Sequence, residues 1–254
     1  RLRPQEIGLA ASIGCDHLPV MVPLKVAVFS TGNEVLDPGD SLFEGAIYDS
    51  NRYTLMQLLK SVGCEVIDLG ILKDDPKIIA DALLSATIKC DLILTSGGVS
   101  TGEEDHVREV VENEGSLLFW RLAIKPGRPV ALGKINDTIF IGLPGNPVAA
   151  MVTFLQIARP IILKLSGAYD SVPKSFSVQS NFSYKKKLNR REYVRVQVNQ
   201  NGNGKLTAEK YKREGAGILS SMVFADGLVE LSEDTVNVEK GDFVNYIPFS
   251  ELGL

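Results

Sequence analysis

Short apolar runs alternate with amphipathic stretches of helical period between residues 25 and 165. The apolar run at 25–30 predicts a β-strand, and the polar triplet Asp49-Ser50-Asn51 predicts the start of a helix. A second strand is predicted at 65–69. Strands that alternate with helices are typical of a parallel sheet, so this region predicts an α/β fold. The apolar face of the first helix consists of Leu55, Leu58, Leu59 and Val62.

The same alternation continues to the end of this region. Pro76 suits the first turn of another helix, and a strand at 91–95 follows it. The prediction is a three-layer α/β fold, in which a mostly parallel sheet has helices on both faces. Its remaining elements are a helix from about Asp105 to Glu114, strands at 117–124, 130–133 and 139–143, and a long helix from Asn146 to about Leu165.

After Gly167 the pattern changes to alternating polar and apolar residues, as at 193–198, which predicts a separate small β barrel or sandwich. The segment Asn201-Gly202-Asn203-Gly204 predicts a hairpin, and Lys240-Gly241-Asp242 predicts a late turn. The predicted domains are an amino-terminal tail at 1–24, an α/β domain at 25–168 and a β domain at 169–254.

Composition and charge narrow the function classes. The 254 residues carry 27 basic and 31 acidic side chains, a formal net charge of −4, so no general attraction to nucleic acid or to a membrane is expected. No run is interpreted as reaching the roughly 18 apolar residues of a membrane span. Three cysteines without C-x-x-C spacing and only two histidines predict a cytoplasmic protein without structural zinc.

Three glycine-rich loops follow predicted strands, where open α/β sheets bind their ligands. Glycine lets the backbone approach a ligand closely, and hydroxyls and helix-start amides receive anions. The loops are predicted to converge on one crevice and to cradle a phosphate, while tight turns without a ligand are the alternative. The candidate binding residues are Ser30, Thr31 and Gly32, then Ser96, Gly97, Gly98, Val99, Ser100 and Gly102, and finally Pro144, Gly145, Asn146 and Pro147.

Charged residues flank these loops. Arg121 and Lys125 precede the stiff turn Pro126-Gly127, a group that suits an oxyanion, with a solvated charge cluster as the alternative. Acids after strands predict carboxylate ligands for Mg²⁺, and helix capping competes with that role, above all at Asp105. These acids are Glu34, Asp74, Asp75, Glu103, Glu104 and Asp105.

Three other motif matches are rejected. The G-x-S-x-G pattern at 98–102 fits the nucleophile loop of serine hydrolases, but the only later histidine, His106, lies too near to reach the serine. The segment 127–134 has one residue too many for a P-loop. The basic run at 185–191 lacks stacking aromatics and is interpreted as an exposed strand edge.

The order and spacing of these motifs resemble the molybdopterin molybdenumtransferase family, and with it the carboxy-terminal domain of gephyrin. The resemblance covers essentially the whole chain and implies a molybdopterin-binding α/β domain followed by a β domain. The motifs that carry it are Ser30-Thr31-Gly32-x-Glu34, Asp49-Ser50-Asn51, Asp74-Asp75-Pro76, Ser96-Gly97-Gly98-Val99-Ser100, Gly102-Glu103-Glu104-Asp105, Lys125-Pro126-Gly127 and Gly142-Leu143-Pro144-Gly145-Asn146-Pro147.

The resemblance implies that a homodimer binds adenylylated molybdopterin, admits molybdate and releases AMP, with Mg²⁺ as the helper. Arg195 and Ser220 match family positions near the substrate, and Arg121 replaces a more common lysine. The resemblance assigns catalytic roles to Glu34, Asp74, Asp105, Arg121 and Lys125, of which Glu34 and Asp105 are the expected metal ligands.

Residues 1–24 resemble only the tail of the family's first domain, so binding without turnover by this chain alone stays open. Two alternatives are kept. One is a molybdopterin adenylyltransferase on the same core, and the other is a non-enzymatic scaffold that binds a pterin or a partner protein.

Overall fold

The structure, a computed structural model, describes residues 2–98, 106–200, 202 and 204–254. Up to residue 165 it alternates strands and helices, as the apolar pattern predicts. In chain order these elements are α1 (Pro4–Ser12), β1 (Lys25–Thr31), β2 (Val35–Leu36), β3 (Ile47–Tyr48), α2 (Asn51–Ser61), β4 (Glu65–Leu72), α3 (Pro76–Thr87), β5 (Leu92–Ser96), α4 (His106–Glu114), β6 (Gly115–Arg121), β7 (Ile124–Lys125), β8 (Pro129–Ile135), β9 (Thr138–Leu143), α5 (Pro147–Thr153), a π-helical segment (Phe154–Ala158) and α6 (Arg159–Leu165).

A six-stranded sheet in the order β4-β1-β5-β9-β8-β6 forms the centre of this region. Strand β1 pairs in parallel with β4 and β5, and β5 pairs in parallel with β9. Strand β8 runs antiparallel to both of its neighbours. The prediction of a mostly parallel sheet is confirmed.

Helices cover both faces of the sheet. On one face, Leu55 and Leu59 of α2 and Phe154 of the long helix pack against alternate residues of β1, β5 and β9. On the other face, Ile79 of α3 and Val107 of α4 pack against the intervening residues. Strands β1 and β5 are buried almost throughout because they are covered from two sides, which confirms the three-layer prediction.

The single strand predicted at 117–124 is wrong. The structure has two strands there, β6 and β7, which belong to different sheets. The amide of Leu122 donates to the carbonyl of Arg128 at 2.9 Å, and the chain leaves the first sheet within the loop that this hydrogen bond closes. The apolar pattern continues through the break because both strands are partly covered, and periodicity alone does not reveal the change of sheet.

The region after residue 175 is all-β apart from two short helices. Its elements are β10 (Phe176–Ser180), β11 (Tyr184–Lys185), β12 (Arg191–Gln200), β13 (Leu206–Lys210), α7 (Ser220–Phe224), β14 (Gly227–Leu231), β15 (Asn237–Val238), β16 (Phe243–Pro248) and α8 (Phe249–Leu252). The strands pair in the order β13-β10-β16-β14-β12, and a β13–β12 pairing closes them into a small barrel. This result confirms the predicted β fold and decides between barrel and sandwich.

The predicted hairpin joins β12 to β13, whose antiparallel pairing runs from Val196 opposite Lys210 to Gln200 opposite Leu206. Asn201 and Asn203 themselves lie outside the described residues. The predicted turn at 240–242 lies immediately before β16. Both loop predictions are therefore correct at the level of the connected strands.

The barrel and the α/β region are joined by a strand pairing and by a common apolar cluster. Strand β7 pairs in parallel with the start of β12, with Ile124 opposite Arg191 and Lys125 opposite Glu192. The barrel residues Leu228 and Ile247 are buried in the same apolar cluster as α5 and α6. This joint fixes the position of Lys125 between the two regions.

The long helical stretch Pro147–Leu165 corrects one sequence expectation. Its 19 residues have a mean hydropathy of 1.6, so by length and composition alone it would be able to cross a membrane. In the structure half of it is buried against the sheet and the barrel, as for the central helix of a globular core.

The basic run at 185–191 is also more involved in packing than an exposed strand edge. Lys186 is buried, and its ammonium donates to the carbonyls of Thr235, Lys187 and Glu233 at 2.6, 3.1 and 3.3 Å. Arg190 and Arg191 form ion pairs with glutamates. The cause is the short β11–β15 pairing, which places this segment against the barrel instead of at its edge.

Candidate functional site

A cleft of about 680 Å³ opens at the carboxyl ends of β1, β4, β5 and β9. The loops that follow these strands form its walls, which confirms for the described residues that the three glycine-rich loops converge. The cleft is lined by Ser30, Thr31, Gly32, Glu34, Val35, Ile47, Tyr48, Asp49, Ser50, Asn51, Asp74, Ser96, Gly97, Gly98, Pro129, Pro144, Gly145, Pro147 and Gly217. Val99, Ser100, Gly102 and Asp105 lie outside the described residues.

Asn51, the first residue of α2, joins two of the loops. Its amide Nδ2 donates to Ser96 Oγ and to the carbonyl oxygen of Gly145, both at 2.7 Å. The Ser96 hydroxyl in turn donates to the carbonyl of Pro144 at 3.0 Å. The Asp49-Ser50-Asn51 motif thus includes a residue that organises the cleft, although only helix initiation was predicted for it.

Glycines allow these loops to approach one another. A Cβ added to Gly97, whose φ is +97°, would lie 3.3 Å from the carbonyl oxygen of Thr31. At Gly98 an added Cβ would lie 2.5 Å from Val107 Cγ2 and 2.8 Å from Thr31 Cγ2. These glycines therefore serve close packing between loops as well as turn formation.

Two of the predicted acids line the cleft, and a third does not. Glu34 and Asp74 both border it, and the Thr31 hydroxyl donates to Asp74 Oδ1 at a long 3.4 Å. Asp75 instead caps α3, because its carboxylate accepts from the amides of Lys77 and Ile78 at 2.9 and 3.1 Å. Capping is thus the role of Asp75, and Glu34 and Asp74 face the cleft.

The donor set at this rim is made of oxygens. Two carboxylates beside hydroxyls fit Mg²⁺, which proteins commonly hold through one or two carboxylates together with substrate phosphates. Within the described residues there is no group of three or more histidine, cysteine, aspartate or glutamate side chains that would hold a metal by itself. The rim therefore fits a cation shared with a ligand.

A second cavity of about 190 Å³ lies between the α/β region and the barrel. It adjoins the cleft, since Pro129 and Pro144 line both. Four cations face it against one carboxylate among the described residues. Its lining consists of Lys125, Pro126, Gly127, Pro129, Pro144, Asn146, Ala149, Tyr184, Tyr193, Val194, Arg195, Lys210, Tyr211, Arg213, Glu214, Gly215 and Ala216. We call it the basic cavity.

Arg195 is held in the basic cavity by neutral partners. Its Nε donates to Ser221 Oγ at 3.1 Å and one terminal nitrogen donates to the Gly215 carbonyl at 3.3 Å. No ion pair joins it to a carboxylate of the described part of the chain. Burial lowers the pKa of Arg195, which reflects a guanidinium whose charge is only partly compensated. Such a cation is suited to an anionic ligand.

The structure places two other predicted site residues, the cation Arg121 and the substrate-binding Ser220, outside this lining. Arg121 is exposed at the end of β6, where its backbone partner is Pro129. Ser220 begins α7 and its hydroxyl lies 3.2 Å from that of Tyr211, so the buried neighbour Ser221 makes the contact to Arg195. Neither Arg121 nor Ser220 belongs to the described lining of either cavity.

Several residues of the basic cavity were missed by sequence reasoning. Tyr184, Lys210, Tyr211 and Arg213 come from barrel strands and loops without a recognisable motif. Their pattern predicts only strands and turns. The unusual grouping of aromatic and basic residues in 184–214 was the available signal.

Comparison with known proteins gives the relationships of the chain. Residues 27–164 match the family model described as a probable molybdopterin binding domain. The chain belongs to the molybdopterin-binding domain family. Residues 177–249 match the MoeA C-terminal region, domain IV, so the barrel corresponds to that part of MoeA.

Relatives of this chain contain the same two regions in longer proteins. It is 39% identical over 253 residues to a molybdopterin molybdenumtransferase of Haemophilus influenzae, covering 99% of this chain and 63% of the relative. It is 31% identical to molybdopterin molybdenumtransferase 2 of Mycobacterium tuberculosis, covering 94% of this chain and 60% of the relative. The chain thus spans about three fifths of these relatives.

A solved structure has the same fold. The crystal structure of a molybdopterin biosynthesis MoeA protein from Pyrococcus horikosii superimposes with a TM-score of 0.81 at 28% identity. The match covers 98% of this chain and 60% of that protein. The arrangement of α/β region and barrel in this chain is therefore shared with that protein.

Proposed function

We propose that this chain carries the catalytic core of a molybdopterin molybdenumtransferase, which inserts molybdate into adenylylated molybdopterin and releases AMP. The names of the relatives supply the reaction class. The observation that carries the proposal is the basic cavity, which is lined by both Lys125 and Arg195 and adjoins the glycine-lined cleft. A phosphoanhydride and an oxyanion need adjacent sites of this kind.

In this proposal the cleft binds the pterin nucleotide. The glycine loops present backbone and hydroxyl groups to its phosphates, and Asn51 keeps the loops after β5 and β9 in register. The substrate-binding residues proposed at the loops are those predicted from the sequence, including Val99, Ser100 and Gly102.

The basic cavity receives molybdate in the same scheme. The ammonium of Lys125 and the guanidinium of Arg195 offset negative charge on the molybdate oxygens and on the departing phosphate. Both cations are held by the protein before the ligand arrives, so little reorganisation is needed when charge develops. Arg121 and Ser220 are proposed to act at the edge of this path.

Acidic residues complete the proposed site. Glu34 and Asp105 are proposed to hold Mg²⁺, with Asp74 nearby on the same rim. When bound, Mg²⁺ polarises the phosphoanhydride. The protein's own part is to place the Glu34 and Asp74 carboxylates at the border of the cleft.

Assembly and location follow from the same proposal. We infer a cytoplasmic homodimer, in agreement with the unpaired thiols of Cys15, Cys64 and Cys90. Helix α1 has no buried residue, and its Ile7 and Leu9 are exposed. Light scattering at high protein concentration is expected to give twice the chain mass.

The test of the proposed reaction is AMP release from adenylylated molybdopterin. Release is expected to require molybdate and to fall at least tenfold in Lys125→Met, because a charge-assisted contact to an oxyanion is lost. Adenylylation of molybdopterin from ATP without molybdate would instead favour the adenylyltransferase. Capture of a peptide without any binding of pterin nucleotide would favour the scaffold.

A further inference from the structure

Glu192 is a buried carboxylate directly behind the wall of the basic cavity. Only 1% of its side chain is exposed. Its Oε1 accepts from Arg190, with Nε at 3.0 Å. Its Oε2 accepts from the Tyr184 hydroxyl at 2.7 Å and lies 3.5 Å from Lys125 Nζ. One carboxylate therefore contacts two residues that line the cavity.

The backbone supports the same arrangement. Glu192 of β12 and Lys125 of β7 are register partners in the parallel pairing that joins the barrel to the α/β region. Because Arg190 already balances the charge of Glu192, the positive charge of Lys125 is not cancelled where it meets the cavity. Glu192 thus restrains the Lys125 ammonium and leaves its charge for a ligand.

Tyr184 forms hydrogen bonds with both Glu192 and Lys125. Its hydroxyl donates to Glu192 and accepts from Lys125 Nζ at 3.2 Å. Two ammonium groups lie near its ring, with Lys125 Nζ 5.7 Å and Lys210 Nζ 5.2 Å from the ring centroid. Burial and the neighbouring Glu192 raise the pKa of Tyr184, so the phenol stays neutral and keeps donating.

We propose that Glu192 and Tyr184 are positioning residues that fix the Lys125 ammonium in the basic cavity ready for an oxyanion. This inference rests on the proposed function, in which the cavity binds molybdate. A free lysine side chain samples many rotamers, whereas this one is held from two sides by a hydroxyl and a carboxylate. The cavity is therefore organised before its ligand enters.

Tyr184→Phe tests the proposal, because it removes the hydroxyl and keeps the ring and the Glu192–Arg190 pair. The measurement is calorimetric titration of the whole chain with molybdate alone. The dissociation constant is expected to rise about tenfold. Tyr246→Phe is the matched control. It also removes a tyrosine hydroxyl that donates to a carboxylate, Asp226 Oδ1 at 2.7 Å, but Tyr246 lines neither cavity. Its molybdate affinity is expected to equal that of the wild type.

A double-mutant cycle separates positioning from general structure. In the Lys125→Met background, Tyr184→Phe is expected to change molybdate affinity less than twofold, because the group it positions is absent. Glu192→Gln gives a second measurement and should show the same dependence on Lys125. Its folding is checked by thermal unfolding, since Arg190 loses its counter-charge.

The outcomes distinguish the inference from the function beneath it. Wild-type affinity in Tyr184→Phe, or an equal loss with and without Lys125, would overturn the positioning role while leaving the oxyanion site in place. Unchanged affinity in Lys125→Met would remove the proposed oxyanion site, and the positioning role with it.

Discussion

Gly127, two residues after Lys125, packs closely against the long helix. Its φ is +109°, and an added Cβ would lie only 2.2 Å from Thr153 Cγ2. Gly127→Ala is expected to lower the free energy of unfolding by about 1–3 kcal/mol through overpacking, beyond the cost of the backbone strain. Urea unfolding measures it.

Gly241→Ala is the matched control for this prediction. Gly241 has a similar φ of +100°, but an added Cβ there would meet nothing within 4 Å. Both variants share the strain of a left-handed alanine, so their difference isolates the clash with Thr153. Equal losses in the two variants would show that packing at Gly127 is unimportant.

The sequence predicts two competing roles for the Asp105 carboxylate, helix capping and Mg²⁺ binding. Asparagine can cap a helix as aspartate does, but it lacks the charge that would hold Mg²⁺. Asp105→Asn is therefore expected to leave the thermal midpoint nearly unchanged and to reduce AMP release by about a hundredfold or more, as for the loss of a major electrostatic group. Full activity at limiting magnesium would assign Asp105 to capping.

For individual residues, the sequence predicted part of the candidate site. Glu34, Asp74 and the described loop residues lie together because they follow neighbouring parallel strands, a rule that sequence order reveals. Arg195 was found through a family motif. Tyr184 and Glu192 were not, because their importance depends on the pairing of β7 with β12, which brings Lys125 opposite Glu192, far away in the sequence.

Helix α2 is attached to the cleft wall through Arg52. Its guanidinium, 4% exposed, binds Asp49, Asp68 and Asp37, which lie before α2, on β4 and after β2. Burial disfavours this charge, but the hydrogen bonds that the guanidinium donates to Asp68 and Asp49 outweigh it and raise the pKa of Arg52. One side chain therefore holds the 32–50 segment, which supplies Val35, Ile47 and Tyr48 to the cleft.

Arg52→Met is expected to cost about 3–5 kcal/mol of unfolding free energy, since Asp49 would be left buried without its counter-charge. Urea unfolding is the measurement. Lys134→Met is the control, because it removes a cation paired at the surface with the fully exposed Asp137, and little change is expected there. Similar losses in both variants would contradict a special role for Arg52.

Element types were predictable where periodicity was long and one-sided. Strands β1 and β5 and helices α2 and α3 follow directly from their apolar spacing. The two-residue strands β2, β3, β7, β11 and β15 were not predicted, because so few residues carry no period and are defined only by their partners.

The stability of the whole molecule at low pH is expected to depend on the buried carboxyl of Glu192. Burial alone would raise the pKa of Glu192, but hydrogen bonds from Tyr184 and Arg190 and the charge of Lys125 hold it below its ordinary value near 4.5. A carboxyl with a lowered folded pKa stabilises the fold above that ordinary value and loses this contribution as the pH falls through the folded pKa. Stability is therefore expected to decline below about pH 4.5.

Urea midpoints between pH 7 and pH 3 check this prediction. The decline is expected to be shallower in Glu192→Gln, which has no proton to take up at that position. An unchanged pH dependence in that variant would assign the acid sensitivity to other carboxylates, such as Glu214 and Glu233, whose pKa values are also lowered by basic partners.

The β7–β12 pairing has a consequence for dissecting the protein. A cut at the predicted boundary of 168 and 169 would leave the barrel without β7, so the backbone groups of Arg191 and Glu192 that pair with it would face solvent. It would also uncover Leu228 and Ile247, which pack beneath the long helix. A bare strand edge beside apolar surface is a template for intermolecular pairing, so the barrel expressed alone is expected to aggregate. A recombinant barrel that includes residues 124–125 would still lack the long helix that covers Leu228 and Ile247. The two regions therefore cannot be separated into independent domains.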